Sequence, residues 1–481
     1  MIFKRFYDEN LAQASYLIAD EHTRDAIVVD PNADIGIYTR AAGADRLRIA
    51  HVTETHIHAD FLSGARELAG ATGATVHLSG EGGEFGYAKE TLKGADKLTD
   101  GSVFDLGEVR ITVAHTPGHT PEHLTFLVSD LARGEEPVGA LTGDFIFVGD
   151  VGRPDLLEKA AGVSGTMEDS ARQLFRSIAR FKKHPGHLQL WPGHGAGSAC
   201  GKSLGAMPQT TLGYEKLFNW AFGSMSEEAF VEKVLENQPI PPRYFANMKR
   251  LNRVLRKSQK KEVAARMDFD RFENVLHENV VVDTRRADKF AAAHVPGTLN
   301  IPLGKSFLNW VGALVADDRD LYLIVDSESD DAAKTIIGDL CKIGMTNVAG
   351  FFGSDVVQDW KQNHGNVEHV DQLDVSELKA SVGNGNVQII DVRNPEEWSH
   401  GHIPGARHIP LAALPDRVGE IDASKPVVLQ CGGGGRSSIA SSLLLSRGLT
   451  KVANLQGGYD AWVAQGLPIE APDELTSARR S

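Results

Sequence analysis

The chain has 481 residues, enough for about three domains of ~150 residues each, and its apolar share of 42% is ordinary for a globular protein. A formal net charge of -14 argues against nucleic acid or an anionic membrane as the main partner. No run of about 18 apolar residues occurs, so no membrane span is expected, and Met1-Ile2-Phe3-Lys4-Arg5 is not followed by an apolar signal segment.

The first informative element is an apolar-polar run, Leu47 to Thr53, that reads as a strand and leads into Thr55-His56-Ile57-His58-Ala59-Asp60-Phe61. Alternation would put His56, His58 and Asp60 on one side of an extended segment. Neutral imidazole and carboxylate are first-choice ligands for divalent transition metals. Three more ligand-type residues follow in order: His119 in HTPGHT, Asp144 in LTGDFIF and His194 in WPGHG. Each lies in a short polar or glycine-containing turn beside an apolar run, where functional residues are often held. Any one of these histidines could be a satisfied core residue; the set of four motifs points to a metal site. His115 and His123 flank the His119 turn and read as structural. Arg153 follows the Asp144 strand and could form a loop salt bridge. Cys200 lies in a glycine-rich loop six residues after His194 and could be a small, partly buried side chain. The stretch Pro239 to Asn252 carries Pro241-Pro242 before an amphipathic helix pattern.

A basic, polar stretch from Arg256 to Lys261 reads as a helix tail or linker. Beyond it the sequence repeats: Asp283 to Leu303 aligns without a gap on Asp391 to Leu411, sharing Asp, Arg, His, Pro, Gly, Ile, Pro and Leu. Each copy follows a β-branched run and precedes a second strand-like run, Leu321 to Val325 or Val427 to Gln430, and then a helix pattern. Two small α/β domains with parallel sheets are expected. The divisions are 1–260, 265–365 and 368–472, with a polar tail ending Arg479-Arg480-Ser481.

The three cysteines, Cys200, Cys341 and Cys431, fit a reducing, cytoplasmic setting in which a thiol can be catalytic. In the second repeat copy, Val427 to Gln430 leads into Cys431-Gly432-Gly433-Gly434-Gly435-Arg436-Ser437. A thiol between a strand end and a helix N-terminus gains from the positive end of the dipole. Four glycines let backbone N–H groups turn inward as an anion nest, and Arg436 adds a cation for a thiolate, a persulfide or a sulfur oxyanion. Asp391 and Arg393 read as structural pins. Aligned on its second strand, the first copy places Asp326 at Cys431 and Asp331 at Arg436, in an acidic loop without a nucleophile. Cys341 lies in the following helix pattern and reads as core.

The ligand motifs resemble the metallo-β-lactamase superfamily, whose αββα sandwich would account for residues 1 to about 240. Within it, the persulfide dioxygenases hold one iron(II) through two His and one Asp. By that resemblance His56, His119 and Asp144 would hold one Fe(II) per chain, while His58, Asp60 and His194 orient ligands or bound water. In the dinuclear zinc hydrolases the residue at Phe61 is a further His, so Phe61 points to a mononuclear site. Arg153 matches an arginine found near the site in persulfide dioxygenases, and Cys200 could approach a persulfide sulfur there. Cys-x4-Arg, DVR, HIPGARHIPL and GGYDAW resemble the rhodanese sulfurtransferases.

The whole chain resembles bacterial persulfide dioxygenase–rhodanese fusions with an inactive middle repeat. The resemblance implies oxidation of a small-thiol persulfide by O2 to sulfite, and sulfur transfer through Cys431 to give thiosulfate or the reverse. No nucleic acid or membrane partner and a cytoplasmic homo-oligomer are expected. The alternative is a zinc thioester hydrolase of glyoxalase II type joined to a sulfur-carrier domain. The middle domain could also serve either enzyme as a dimerisation or docking surface.

Overall fold

The computed structural model describes residues 1–160, 162–202, 204–254, 264–316, 319–326, 330–382 and 385–470. The basic stretch at Arg256 to Lys261, Ser327 to Ser329 of the acidic loop, and the C-terminal tail lie outside them. Contacts divide the chain into two compact units, Met1–Lys261 with Gly338–Gly344, and Glu262–Ile337 with Met345–Ser481. The first unit thus takes in a stretch within the span expected for the middle domain.

The first unit is built on two six-stranded sheets. In spatial order the first holds Ile2–Asp8, Gln13–Ala19, Asp25–Val29, Arg48–Thr53, Thr75–Ser79 and Asp96–Leu98. The second holds Val103–Leu106, Val109–His115, Leu124–Asp130, Gly139–Gly143, Gln189–Pro192 and Thr210–Thr211, ordered from the last to the first. The strand Gln13–Ala19 is buried on both faces, and its alternation explains the layering. Ala14, Tyr16 and Ile18 meet Ile111, Phe126 and Val128 between the sheets. Leu17 and Ala19 join Tyr38 and Leu68 of the helices Gly36–Ala44 and Ala65–Thr72. On the far face Leu127 and Ala140 pack against Leu174, Ile178 and Phe181 of the helix Met167–Phe181. Each of the buried Leu, Ile, Val and Phe side chains among these contributes roughly 1.5–3 kcal/mol. The result is the expected αββα order, with strand ends meeting at one edge.

The second unit holds two five-stranded parallel sheets of the same order. One is Ala265–Arg266, Val348–Gly353, Leu321–Val325, Val280–Asp283 and Leu299–Asn300. The other is Asp371–Leu373, Val452–Leu455, Val427–Gln430, Gln388–Asp391 and Arg407–His408. The repeated Asp and Arg do the same work in both. Arg285 forks onto Asp283 and also donates to the Ala293 carbonyl; Arg393 forks onto Asp391 and donates to the Gly401 carbonyl. Each pair pins a strand end to the turn that follows, the structural role expected of Asp391 and Arg393. Among the described residues no helix is long and apolar enough to cross a membrane.

Candidate metal centre and cysteine loop

The strand Arg48–Thr53 stops before the histidines, and Thr55 to Phe61 bends rather than continuing extended. The expected alternation therefore does not place His56, His58 and Asp60; hydrogen bonds do. Asp30, just past the strand Asp25–Val29, accepts from the Thr55 amide at 2.6 Å and from the Thr55 hydroxyl at 2.9 Å. That hydroxyl donates to Asp30, so it accepts from His56 Nδ1 at 3.0 Å and leaves His56 Nε2 as a free lone pair. His119 Nδ1 donates to the Arg153 carbonyl at 2.9 Å, which frees its Nε2 in the same way. Asp144 accepts from His194 Nδ1 on Oδ1 at 2.6 Å, and its buried Oδ2 has no hydrogen-bond partner.

These three free atoms converge. Asp144 Oδ2 lies 3.6 Å from His119 Nε2 and 3.9 Å from His56 Nε2. The ligand atoms of His56, His119 and Asp144 all fall within 4.8 Å of one another, and all three residues are buried. An unpartnered buried carboxylate oxygen facing two imidazole lone pairs is what a divalent cation would satisfy, so the residues fit a metal. Burial pushes His56 well down and His119 to about 4, keeping both rings neutral and able to ligate at neutral pH.

Around them sits a shell that holds charge. His194 bridges Asp144 Oδ1 and Asp60 Oδ2, each at 2.6 Å. Burial alone would lower His194, but the two carboxylates raise it well above its ordinary value. Burial likewise opposes His58, yet Asp30 at 3.0 Å lifts it to about 9. Phe61 is fully buried with its ring 4.2 Å from that of His58. His123 accepts from the Asp144 amide through Nε2 and pairs with Thr116 through Nδ1, so it shapes the ligand loop. His115 bonds the Pro121 carbonyl. Gly143 adopts φ 48°, and a Cβ there would come within 2.5 Å of the Thr55 hydroxyl.

Arg153 enters the site through its main chain. Its buried guanidinium forks onto Asp155 at 2.7 and 2.8 Å and donates to the Ala199 and Pro239 carbonyls. This is the loop salt bridge rather than a substrate contact. Cys200 does reach the site: its sulfur groups with Asp60 and His194 within 4.8 Å. Burial, then Asp60 and Asp144, push that thiol well up, so it is held protonated. Asp30, Glu122 and Asn252 carry no metal-ligand spacing and were not foreseen. Glu122 accepts the Ile57 amide, and Asn252 donates to the His58 and Phe61 carbonyls. For Asp30 the one usable signal was a carboxylate, followed by proline, at the end of an apolar strand. A cavity of about 380 Å³ opens beside the ligand loops, lined by Ile57, Glu122, Leu157 and Lys249 among others.

In the second unit Cys431 follows the strand Val427–Gln430 and is buried, with Gly434 N 3.2 Å and Ser437 Oγ 3.4 Å from its sulfur. The helix Gly435–Ser446 begins at the loop. The GGYDAW motif clamps it: the Tyr459 and Asp460 amides donate to the Cys431 and Gly432 carbonyls. Gly458, at φ 56°, sits where a Cβ would collide with those same carbonyls. Arg436 is not free. Both of its terminal nitrogens meet Glu397 at 2.6 Å, and the Asn394 amide donates to Glu397 as well.

Sheet register corrects one alignment. Asp283 pairs with Ile324 as Asp391 pairs with Gln430, so Val325 stands at the position of Cys431 and Asp326 one residue later. The second strands share too few residues to anchor an alignment, whereas the ladder counts from the repeated Asp. Asp326 is ion-paired with Lys289 and accepts from Ser354. Cys341 is buried in the helix Asp330–Lys342, and none of the three cysteines forms a disulfide.

Residues 9–194 match the metallo-beta-lactamase superfamily and residues 374–465 the rhodanese-like domain. The solved metallo-beta-lactamase from Staphylococcus aureus is 41% identical with a TM-score of 0.68, covering 73% of this chain and 99% of that one. A sulfurtransferase from Allochromatium vinosum is 37% identical over 107 residues, 22% of this chain and 98% of its own length. A probable polyketide biosynthesis zinc-dependent hydrolase from Bacillus velezensis is 26% identical over 210 residues, 44% of this chain and 84% of its own. A metal-dependent enzyme fold and a sulfur-transfer fold thus share one polypeptide. The chain belongs to the metallo-beta-lactamase superfamily and carries a C-terminal rhodanese-like domain.

Proposed function

We propose that the protein oxidises a small-thiol persulfide with O2 at one iron(II) and passes sulfur through Cys431. The convergence of His56 Nε2, His119 Nε2 and the unpartnered Asp144 Oδ2 carries this reading. Two imidazoles and one carboxylate with open positions form the ligand set of non-haem iron oxygenases. Ferrous iron there would supply the redox chemistry that joins sulfur to dioxygen. The chain's own part is positioning. Thr55 and the Arg153 carbonyl fix the two ring tautomers, and His194 holds Asp144 so that one oxygen faces the ligand set. The overall reaction takes a persulfide anion, O2 and water to the thiol, sulfite and one proton.

At the second site the Cys431 thiolate would attack the outer sulfur of a persulfide and release the carrier thiolate. Sulfite would then attack the outer sulfur of the Cys431 persulfide, giving thiosulfate and restoring the thiolate. The three-domain division at 1–260, 265–365 and 368–472 belongs to this proposal, with a middle domain of rhodanese shape whose Val325 offers no nucleophile. The decisive measurement is metal content of anaerobically purified protein together with oxygen uptake on adding a persulfide. One iron per chain with uptake supports the reading; two zincs with thioesterase activity and no uptake overturn it.

One observation favours the zinc hydrolase alternative. Asp60, His194 and Cys200 form a second cluster with ligand atoms within 4.8 Å. Against it, both nitrogens of His194 are engaged by carboxylates, and Phe61 fills the place of a further ligand.

A further inference from the structure

The helix Tyr244–Arg253 turns Phe245, Met248, Lys249 and Asn252 inward. Phe245 and Met248 are core, and Asn252 holds the His58 and Phe61 carbonyls. Lys249 has no such role. It is 8% exposed, lines the cavity beside the ligand loops, and makes no hydrogen bond or ion pair among the described residues. An ammonium on a cavity wall that makes no hydrogen bond or ion pair among the described residues is placed to receive an anion.

The surroundings say where that anion lies. Ile57 and Glu122 share the cavity wall with Lys249 and belong to the His56–His58 and His119–His123 loops. Burial lowers Lys249, and Glu122 opposes the shift. By sharing a wall with Ile57 and Glu122, Lys249 lies on the side of the cavity formed by the ligand loops. Glu122 faces the same cavity and opposes the lowering of Lys249, but among the described residues the two form no ion pair, and Glu122 Oε1 accepts the Ile57 amide at 2.8 Å. The other cations on the wall are committed. Arg253 donates to the Gly86 and Glu84 carbonyls, and Arg250 to Asn247. The remaining wall is largely apolar, with Leu157, Val163 and Ala246.

We propose that Lys249 receives the negative charge at the sulfur end of the substrate, so that the cavity selects a persulfide anion over a neutral thiol derivative. This rests on the persulfide reading above. Persulfides are stronger acids than thiols and are largely anionic at neutral pH. A charge-assisted hydrogen bond from Lys249 would hold that end against the ligand set, with the apolar walls around the carrier.

The test separates charge at sulfur from charge on the carrier by using one carrier in two forms. Glutathione S-sulfonate bears an anion at its sulfur end; S-methylglutathione does not. Calorimetry on the full chain should show the sulfonate binding about tenfold tighter or more, the span of one charge-assisted contact. Lys249→Met keeps the volume and should cut the preference to about twofold or less, whereas Lys249→Arg should retain it. In iron-loaded protein, Lys249→Met should raise KM for the persulfide more than it lowers kcat. A wild type with no preference, no binding of either ligand, or a preference that survives Lys249→Met in protein melting like wild type overturns the assignment. If the preference behaves as expected but wild type takes up no oxygen, the reaction fails and Lys249 stands. Oxygen uptake with an unchanged preference removes Lys249 alone.

Discussion

His194 binds Asp144 Oδ1 at 2.6 Å and leaves Oδ2 to face His56 and His119. The candidate ligand set of His56, His119 and Asp144 is thus oriented by a histidine outside it. Asp144→Ala should abolish metal binding and oxygen uptake, while sulfur transfer to cyanide through Cys431 continues. His194→Gln should keep the three ligands but weaken metal affinity about 10- to 100-fold, the usual cost of losing a ligand's support. Competition with a chelator reads this directly. Unchanged affinity in His194→Gln would show that Asp144 is oriented by something else.

Cys431→Ser keeps the loop shape with a far poorer nucleophile. Given a persulfide and O2, wild type should accumulate thiosulfate, and the serine variant should consume oxygen but accumulate sulfite. Thiosulfate at the wild-type rate from the variant would shift the transfer role to another thiol, with Cys200 the first to examine.

The middle sheet should not gain chemistry from a thiol alone. Val325 occupies the Cys431 position by register, and Asp326 follows it. Neither Val325→Cys nor Asp326→Cys, on a Cys431→Ser background, should transfer sulfur to cyanide, because the loop lacks the glycine nest and its arginine. Appreciable turnover by either variant contradicts this.

The buried His58–Asp30 and His194 pairs predict a pH dependence of stability. His58 rises to about 9 in the fold, against about 6.5 for an unperturbed ring. A folded value above the unfolded one contributes stability that is complete below about pH 6.5 and lost as pH rises through about 9. His194, also raised, acts in the same direction. Chelator-treated protein should therefore lose urea resistance between these values, and Asp30→Asn should flatten the slope. A wild-type midpoint that does not fall over this range would count against the pairing.

Much of the metal site was legible because its ligands sit in short local motifs at strand ends. What the sequence did not reveal are the groups that aim them. Asp30 reaches Thr55 and His58 across sheet neighbours, and Asn252 reaches the His58 carbonyl from 194 positions away. Alternation did not describe this segment, since Thr55 to Phe61 bends and is positioned by side-chain bonds. The cysteine loop was readable down to its helix, yet the partner of Arg436 was not, because Glu397 lies 39 residues upstream and looks like any first-turn acid. The one-residue slip at Val325 arose where the two apolar strands share a single identical residue, Leu323 with Leu429, in the observed register.

On the proposed sulfur-transfer reading, the Arg436–Glu397 fork would bear on which sulfur species can use the cysteine. A carboxylate already occupies the seat that an incoming oxyanion needs, so the loop carries its own competitor. A singly charged anion would have to displace a two-point partner that the Asn394 amide also holds. Doubly charged sulfite and thiosulfate are better placed to win the exchange. Selectivity among acceptors would then come from a tethered rival rather than from the shape of the pocket.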